Sequence, residues 1–318
     1  MAVNKNAYKK LTDLAKQVLN QKQVPLYRTK FSKKEFTTYQ LLVLLFAKTY
    51  ENKGYRAFVE FLEASKLPNW LRLKKIPHFT TLQKFAERLN VQFLESLLIE
   101  SASVKAFDRA GVDGTGLTFR NPSRHYEKRV GKLIKKKDFL KCTIVSDLDH
   151  QLILAVKMRK KARHDTLDFL PLWNKVKKIP FKWFYMDRGY DADYCHQAIY
   201  DAGKISFGDL KYLHLPIWRT RGPARKRAKK HRIHRKKNWR ALTESINKAI
   251  KAKFSSVVNA KKLHTQKVEV LLKLITYNLY RRITRNIIFC VLKIAHKFGQ
   301  FFNCLSSFLL VEQKSSRF

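Results

Sequence analysis

The stretch AFDRAGVDGTGL, residues 106–117, marks a change in the character of the chain and predicts the first strand of a sheet. Its apolar residues lead to Asp113, and the closely spaced glycines that follow are typical of a strand that ends in a tight turn. Two more strands are predicted at residues 138–146 and 151–159, with DLDH between them as a hairpin turn. This part of the chain is therefore predicted to open with three antiparallel strands.

The residues that follow alternate between helical and strand patterns. The pattern predicts a helix at 164–176, a short aromatic strand that ends at Asp187, a helix closed by Gly203 and a fifth strand at 205–210. A long helix, WRALTESINKAIKAK at residues 239–253, comes next. This order of elements predicts an α/β fold.

The N-terminal part of the chain has a different pattern, with apolar residues at helical spacing. It predicts an all-helical domain over residues 1–103. Two short helices across a turn are compatible with a DNA-binding helix-turn-helix and equally with a plain helical bundle. Helices are predicted at 6–20, at 35–50, after Gly54 and, capped by Thr80 or Thr81, over 82–100.

The sequence carries far more positive charge than solubility requires. Lys and Arg number 67 against 24 Asp and Glu, which gives a formal net charge of +43. Since 45% of the residues are hydrophobic, the chain is a folded protein and not a basic tail. Such a charge predicts a polyanionic partner, which could be DNA, RNA or an anionic membrane surface. Residues 216–237 contain eleven Lys and Arg and no acid, and they predict a solvated loop that binds polyanions.

The sequence favours a cytoplasmic location. The start MAVNKNAYKK does not fit a signal peptide, and the four cysteines have the spacing of neither a disulfide framework nor a zinc site. The most apolar segment, residues 287–311, is interrupted by Lys293 and Lys297 and therefore fails as a membrane span. We interpret residues 286–318 as a helical C-terminal tail.

Three carboxylates occupy positions that suggest metal-dependent chemistry. Asp113 is predicted at the end of the first strand, Asp187 at the end of the fourth, and Glu244 on the late helix. Cleavage of a phosphodiester with two metal ions needs carboxylates that converge on a pair of hard cations. The alternative for Glu244 is a purely structural role, in an ion pair on a solvated helix face, because Arg240 and Lys248 lie four residues to either side.

Glu244 is unusual in its surroundings. Between Lys211 and Glu269 it is the only acid, while the same window holds nineteen Lys and Arg. Leu242, Ile246, Ala249, Ile250 and Phe254 predict the buried stripe of its helix, which would place Glu244 on the opposite side.

Several motifs together resemble those of a known family. VDGTGL, KARHDTLDFLP, YMDRGYDA and RALTESINKAIKAKF followed by YNLYR resemble, in this order, the DDE transposases of prokaryotic insertion sequences. Asp113 and Asp187 are 74 residues apart, and Asp187 and Glu244 are 57 apart, which fits. The resemblance covers residues 30–285 and implies an RNase H-like mixed sheet flanked by helices, with the catalytic domain at 104–285.

The resemblance also implies roles for individual residues. Asp113, Asp187 and Glu244 would bind two Mg²⁺ or Mn²⁺ ions. Arg240, four before Glu244, and Lys251, seven after it, match the Arg and Lys of a Tyr-Arg-Glu-Lys signature, but Lys237 stands where the signature has Tyr. The expected DNA contacts are Arg240, Lys251, Lys248, Arg188, Arg225 and Arg227.

The implied activity is DNA transposition by cleavage at the ends of an insertion sequence and transfer of the freed 3′-OH into target DNA. The expected partners are terminal inverted repeats and target DNA, with a homodimer or larger assembly in the DNA complex and a nucleoid-associated location. Two alternatives stay open: an RNase H-like nuclease without strand transfer, and an inactive DNA-binding relic of a transposase.

Other residues compete for these roles. Asp108 is a rival to Asp113 as the first ligand. Asp147 and Asp149 form a ligand-like pair, although Asp in a hairpin usually serves the turn. His164 and Asp165 match a recurrent family position or cap a helix. Asp191 and Asp193 are expected to cap the helix after the fourth strand, and Trp218 could stack on an unpaired base or belong to the core.

Overall fold

A mixed six-stranded sheet lies at the centre of the fold, in a computed structural model that describes residues 5–27, 29–31, 33–103, 106–119, 139–160, 163–233 and 239–285. The strands follow the order β3-β2-β1-β4-β5, and β6 also pairs with β1. The β1–β2 and β2–β3 pairs are antiparallel, whereas β4 and β6 run parallel to β1 and β5 runs parallel to β4. The strands are β1 (Arg109–Phe119), β2 (Phe139–Asp147), β3 (Leu152–Arg159), β4 (Trp183–Met186), β5 (Ile205–Gly208) and β6 (Val257–Val258).

Helices precede and flank this sheet. This is the α/β class with a helical N-terminal part that the sequence predicts. The N-terminal helices are α1 (Lys5–Gln21), α2 (Thr38–Tyr50), α3 (Tyr55–Glu63), α4 (Leu67–Trp70), α5 (Phe79–Glu87) and α6 (Val91–Ala102). The later helices are α7 (Thr166–Val176), α8 (Asp193–Asp201), α9 (Pro223–Ile233), α10 (Arg240–Phe254) and α11, which begins at residue 263.

The chain divides into two compact units, Met1–Leu279 and Tyr280–Phe318. Only residues 280–285 of the second unit are described, and they are helical. The predicted tail at 286–318 lies outside the described residues. Within the part of the chain that the structure describes, no helix has the length and apolar character needed to cross a membrane.

One buried amide joins the N-terminal helices to the sheet. The side chain of Asn278 in α11 accepts a hydrogen bond from the Ile153 backbone N–H and donates to the Ile153 carbonyl, both at 2.8 Å. It also donates to Ser101 Oγ of α6 at 3.0 Å. Residues on either side of the predicted boundary at 103 therefore share one core.

The first strand is longer than the sequence predicts. Gly114 and Gly116 do not form a turn, because β1 continues through both to Phe119 and pairs with β2 along this length. A Cβ on Gly116 would lie 3.1 Å from the ring of Phe139. This glycine thus provides space for a neighbouring side chain, and Asp113 lies in the middle of the strand.

The helix predicted over 82–100 is in fact two helices. It breaks between α5 and α6, where Asn90 has extended backbone angles and its side chain accepts hydrogen bonds from the N–H groups of Gln92 and Phe93. Such a side-chain cap begins a new helix. His78 is the N-cap residue of α5, in place of Thr80 or Thr81.

The basic segment 216–237 is helical over Pro223–Ile233, where a loop was predicted. Ala224 and Ala228, one turn apart, are buried, so α9 packs a narrow small-residue face on the protein although its other residues are mostly cationic. Lys229 is buried as well, and its Nζ bonds to the carbonyl of Leu215. Packing of a few residues is enough to order this part of a highly charged run.

Candidate carboxylate site

The first two carboxylates come from neighbouring parallel strands. In the β1–β4 pair, Gly111 is opposite Tyr185. Two residues farther along each strand are Asp113 and Asp187, so the strand register brings them to the same level. Asp187 directly follows β4, as predicted, and its carboxylate accepts a hydrogen bond from the Arg188 N–H. Both acids are half-buried.

Helix α10 packs on β1 at a glycine. A Cβ on Gly111 would lie 2.6 Å from Cγ2 of Thr243, so no larger residue fits beneath the helix there. One turn on, Asn247 Nδ2 donates to Oδ2 of Asp113 at 2.8 Å. Four helical residues rise about 6 Å and two strand residues about 6.6 Å, so the two contacts match in spacing. The helix therefore runs alongside β1.

Glu244 follows Thr243 on this helix and is half-buried. The predicted stripe is only partly right: Ile246, Ile250 and Phe254 are buried, but Ala249 is exposed. Thr243 and Asn247 are buried in its place. The buried face of α10 is thus rotated toward these polar residues, and Glu244 lies beside that face and not opposite to it.

Electrostatic coupling ties the three acids together. The pKa of Asp113 is raised, mainly by burial, while hydrogen bonds from Asn247 and the Gly114 N–H lower it. The negative charges of Glu244 and Asp187 raise it further. The fold therefore gathers the three predicted carboxylates so that their charges act on one another.

The donor chemistry of this set fits a hard divalent cation. Carboxylate oxygens are the ligands that Mg²⁺ and Mn²⁺ prefer, and a cation would relieve the repulsion that raises the pKa of Asp113. Asn247 Oδ1 is buried without a hydrogen-bond partner among the described residues, which adds an unused polar atom beside the site. In the described ranges no three His, Cys, Asp or Glu lie close enough to form a metal cluster. Binding an ion between the acids would require them to draw closer.

A family model described as "Transposase DDE domain" matches residues 109–279, which is more than half of the chain. The chain belongs to this transposase family. The matched region starts with β1 and includes Asp113, Asp187 and Glu244.

Among solved structures, the piggyBac transposase synaptic complex with hairpin DNA aligns over 85% of this chain and 74% of that chain, with 7% identity and a TM-score of 0.38. The Drosophila P element transposase strand transfer complex aligns over 64% of this chain and 48% of that chain, with 12% identity and a TM-score of 0.33. No curated protein sequence matches the chain.

A fourth acid, Asp165, lies close to the candidate carboxylate site. A Cβ on Gly189 would be 2.5 Å from Asp165 Oδ2, and one on Gly114 would be 3.7 Å from Oδ1. Asp165 stands at the start of α7 but makes no side-chain cap hydrogen bond. Its carboxylate instead pairs with the buried Lys141 Nζ at 2.6 Å. Asp165 is nevertheless the N-cap residue of α7 by position, as the helix-cap alternative predicts. The Thr166 N–H donates to His164 Nδ1 at 3.4 Å, so the neighbouring His164 side chain supplies a hydrogen bond at the start of this helix.

Lys141 connects Asp165 to a deeper network in the DDE domain. Its Nζ also bonds to the Arg163 carbonyl at 2.6 Å and lies 3.5 Å from the buried Asp168, which pairs with Arg159. Neither Lys141 nor Asn247 was predicted from the sequence to belong to the site. The signal that could have identified Asn247 is a polar residue at a position where the helical spacing of α10 calls for an apolar one.

The rival acids have other partners. Asp108 precedes β1, five residues from Asp113 and thus about 16 Å along the chain, so it is not a ligand of this site. Asp147 serves the hairpin turn, as predicted, because it accepts hydrogen bonds from the N–H groups of Asp149 and His150. Asp149 accepts from the Asp108 and Arg109 N–H groups.

Asp191 and Asp193 bind α9, so the prediction that they cap α8 is wrong. The N-cap residue of α8 is Ala192. Arg225 places Nε and Nη2 2.7 Å from the two oxygens of Asp191, and the Arg225 N–H donates to Asp193 Oδ1 at 3.0 Å. Burial raises the pKa of Asp191, but hydrogen bonds from His196 and Arg225 outweigh it and hold that pKa well below its ordinary value.

The remaining predicted DNA contacts lie in different settings. Arg188, Lys248 and Arg227 are exposed, and Arg227 also covers the ring of Tyr200 at 4.3 Å. Lys251 is half-buried on α10. The side chain of Arg240 and the signature position Lys237 lie outside the described residues.

Trp218 is 71% exposed. The core alternative for this residue is therefore wrong. The Arg219 guanidinium lies 4.8 Å from its ring centroid, so a cation accompanies the exposed aromatic face.

Proposed function

We propose that this transposase cleaves DNA at the ends of an insertion sequence and joins the freed 3′-OH to target DNA, in a reaction that requires divalent metal. The observation that carries the proposal is geometric. The β1–β4 register brings Asp113 and Asp187 to the same level, and α10, which carries Glu244, packs on β1 through Thr243 and Asn247. These elements are distant in sequence. Acids that a fold brings together despite their mutual repulsion are typical of a site that binds a cation.

Asp113, Asp187 and Glu244 would hold two Mg²⁺ or Mn²⁺ ions. When bound, such ions activate the attacking oxygen and neutralise the charge that develops on the leaving oxygen. The protein contributes the alignment of the three ligands, which rests on the β1–β4 register and on the contact of α10 with Gly111.

Basic residues near these ligands would bind the DNA backbone. Exposed Arg188 follows Asp187, and exposed Lys248 lies one turn after Glu244, so both are suited to phosphates near the scissile bond. Half-buried Lys251 lies farther along α10 and is proposed as a further contact. Arg240, whose side chain lies outside the described residues, is proposed as a contact from its match to the family signature. Arg227 on α9 is a further phosphate contact, whereas we assign Arg225 to the ion pair with Asp191.

The partners would be the terminal inverted repeats of the element and a target DNA. With a net charge of +43, affinity should depend steeply on salt, because phosphate neutralisation releases counterions. The N-terminal helices are proposed to contribute to DNA binding. A homodimer or larger assembly would bring two ends together in the cytoplasm, at the nucleoid.

The test uses the purified full chain and DNA that carries the inverted repeats flanking its gene. With Mg²⁺, the parent should nick this DNA at the repeat ends, while Asp113→Asn, Asp187→Asn and Glu244→Gln should lose nicking and keep DNA binding. Asp108→Asn, which lies outside the site, is the matched control. If all three variants cut as well as the parent, the site assignment is wrong.

Strand transfer is tested separately with pre-cut ends that carry a free 3′-OH. If the chain carries out strand transfer, these ends should become joined to a supercoiled target plasmid. Nicking without joined products would identify an RNase H-like nuclease. DNA binding without either activity would identify an inactive relic.

A further inference from the structure

The face of α10 that meets β1 has a polar residue where packing alone would favour an apolar one. Asn247 is only 7% exposed and lies on the same buried helix face as the apolar residues Ile246, Ile250 and Phe254. A helix stripe buried against a sheet is normally apolar, because a buried polar group costs free energy unless it is hydrogen-bonded.

The hydrogen bond of Asn247 explains this choice. Its Nδ2 donates to Asp113 Oδ2 at 2.8 Å, the length of a charge-assisted bond. An ionised carboxylate only accepts hydrogen bonds, so the amide must present its NH₂ group, and this fixes which way the amide faces. Oδ2 of Asp113 is thereby held by the helix, and the Gly114 N–H is a second donor to the same carboxylate.

We propose that Asn247 is a positioning residue for the carboxylate set, which holds Asp113 Oδ2 and so fixes the orientation in which this carboxylate would bind a divalent ion. This inference rests on the proposed function. Loss of a group that orients a metal ligand through a hydrogen bond typically lowers metal affinity or activity by about 10- to 100-fold, and we expect an effect of this size here.

The chemistry of the position favours an amide of this length. A carboxylate at 247 would add another negative charge beside Asp113, where Glu244 and Asp187 already act. An aliphatic side chain would leave Oδ2 without its donor in a half-buried site. The spacing is also set, because Thr243 lies on Gly111 one turn earlier.

The test measures Mn²⁺ binding to the full chain by isothermal titration calorimetry, without DNA. Asn247→Ala leaves a small gap and Asn247→Leu fills it, so an effect common to both reports the lost donor and not the packing. Asn247→Gln keeps an amide donor. Ser245→Ala, on an exposed position of the same helix, is the control.

We expect Asn247→Ala and Asn247→Leu to weaken Mn²⁺ binding by about 10- to 100-fold, with Asn247→Gln between them and the parent and Ser245→Ala unchanged. DNA affinity measured in EDTA should be the same for all variants. Melting in EDTA identifies any variant that fails to fold, and the other donor-free variant then decides the result.

Two results would count against these ideas in different ways. If Asn247→Ala and Asn247→Leu bind Mn²⁺ as tightly as the parent, Asn247 does not position the ligand, and the inference is overturned. If the parent binds Mn²⁺ no better than Asp113→Asn does, the carboxylate set holds no metal, and the proposed function falls together with the inference.

Discussion

Thr243 lies directly on Gly111, since a Cβ on that glycine would be 2.6 Å from Thr243 Cγ2. This contact sets the depth of α10 against β1. Glu244 is the next residue, and Asn247 reaches Asp113 one turn later. The position of one glycine thus controls how close the helix brings Glu244 to Asp113 on β1 and to Asp187 just after β4.

Gly111→Ala should therefore move α10 outward, cost about 1–3 kcal/mol of stability and reduce nicking. Adding Thr243→Ser, which removes Cγ2, should recover much of both losses. Chemical denaturation and the nicking assay measure the double-mutant cycle. Gly54→Ala, where no atom lies within 4 Å, is the control. Additive losses in the double variant would show that the contact is not the cause.

Asp113→Asn should stabilise the metal-free protein at neutral pH. The pKa of Asp113 is raised in the fold, chiefly by burial. Its stabilising contribution is therefore present below the unfolded pKa, about 3.9, and is lost as pH rises through the folded pKa. Melting temperatures in EDTA should favour the variant at pH 7, whereas added Mg²⁺ should stabilise only the parent. A parent that is more stable than the variant in EDTA would contradict this.

Arg225→Met should mainly lower stability, whereas Arg227→Met should mainly affect DNA binding. Arg225 lies in a buried pair with Asp191, and loss of one partner typically costs about 3–5 kcal/mol. Arg227 is exposed, so its loss should change stability by about 1 kcal/mol at most while lowering the salt dependence of DNA binding by about one phosphate contact. Denaturation and binding titrations at several salt concentrations separate the two. Equal stability losses would remove the distinction.

Stability should fall in acid because of Asp191. The hydrogen bonds from His196 and Arg225 hold its pKa below the ordinary value, despite burial. Its contribution is therefore full above the unfolded pKa, about 3.9, and is lost as pH falls toward the folded pKa. Asp191→Asn should be less stable than the parent at pH 7, with the difference shrinking below pH 4. A pH-independent difference in unfolding free energy would rule out this titration.

Trp218→Ala should leave the fold almost unchanged, since this side chain is 71% exposed. Trp173→Ala, which removes a buried ring, should cost about 3–5 kcal/mol in comparison. If Trp218 stacks on an unpaired base, affinity for single-stranded DNA should fall by about 1–3 kcal/mol, as measured by fluorescence anisotropy. Unchanged affinity would leave Trp218 without a role in DNA binding.

Local patterns predicted most of the fold. Apolar and aromatic runs bounded by turn residues identified all of the first five strands, and Asp187 was placed at the end of β4 because a strand pattern stops there. The failures lay where a residue type has two uses. Gly114 and Gly116 suggested a turn, yet both lie inside β1, where Gly116 makes room for the ring of Phe139. The basic run after Pro216 suggested a loop, yet it contains a helix that packs through Ala224 and Ala228.

The candidate site was predicted only in its acids. Asp113, Asp187 and Glu244 could be selected from residue type, spacing and family resemblance. Their supports could not be, because Asn247 meets Asp113 across 134 residues of chain and Arg225 meets Asp191 across 34. An isolated Asn or Arg in a sequence has many possible partners.

The sequence by itself determined the order of most elements and the positive charge, since these follow from residue periodicity and composition. It also selected the three candidate acids, through their spacing and the family resemblance. Only the tertiary structure decided that α10 rests on Gly111, that Asn247 holds Asp113, and that Asp165 faces Gly189 with Lys141 behind it. The physical reason is that hydrogen bonds and close packing act over a few ångströms, and such distances between remote residues exist only after the chain has folded.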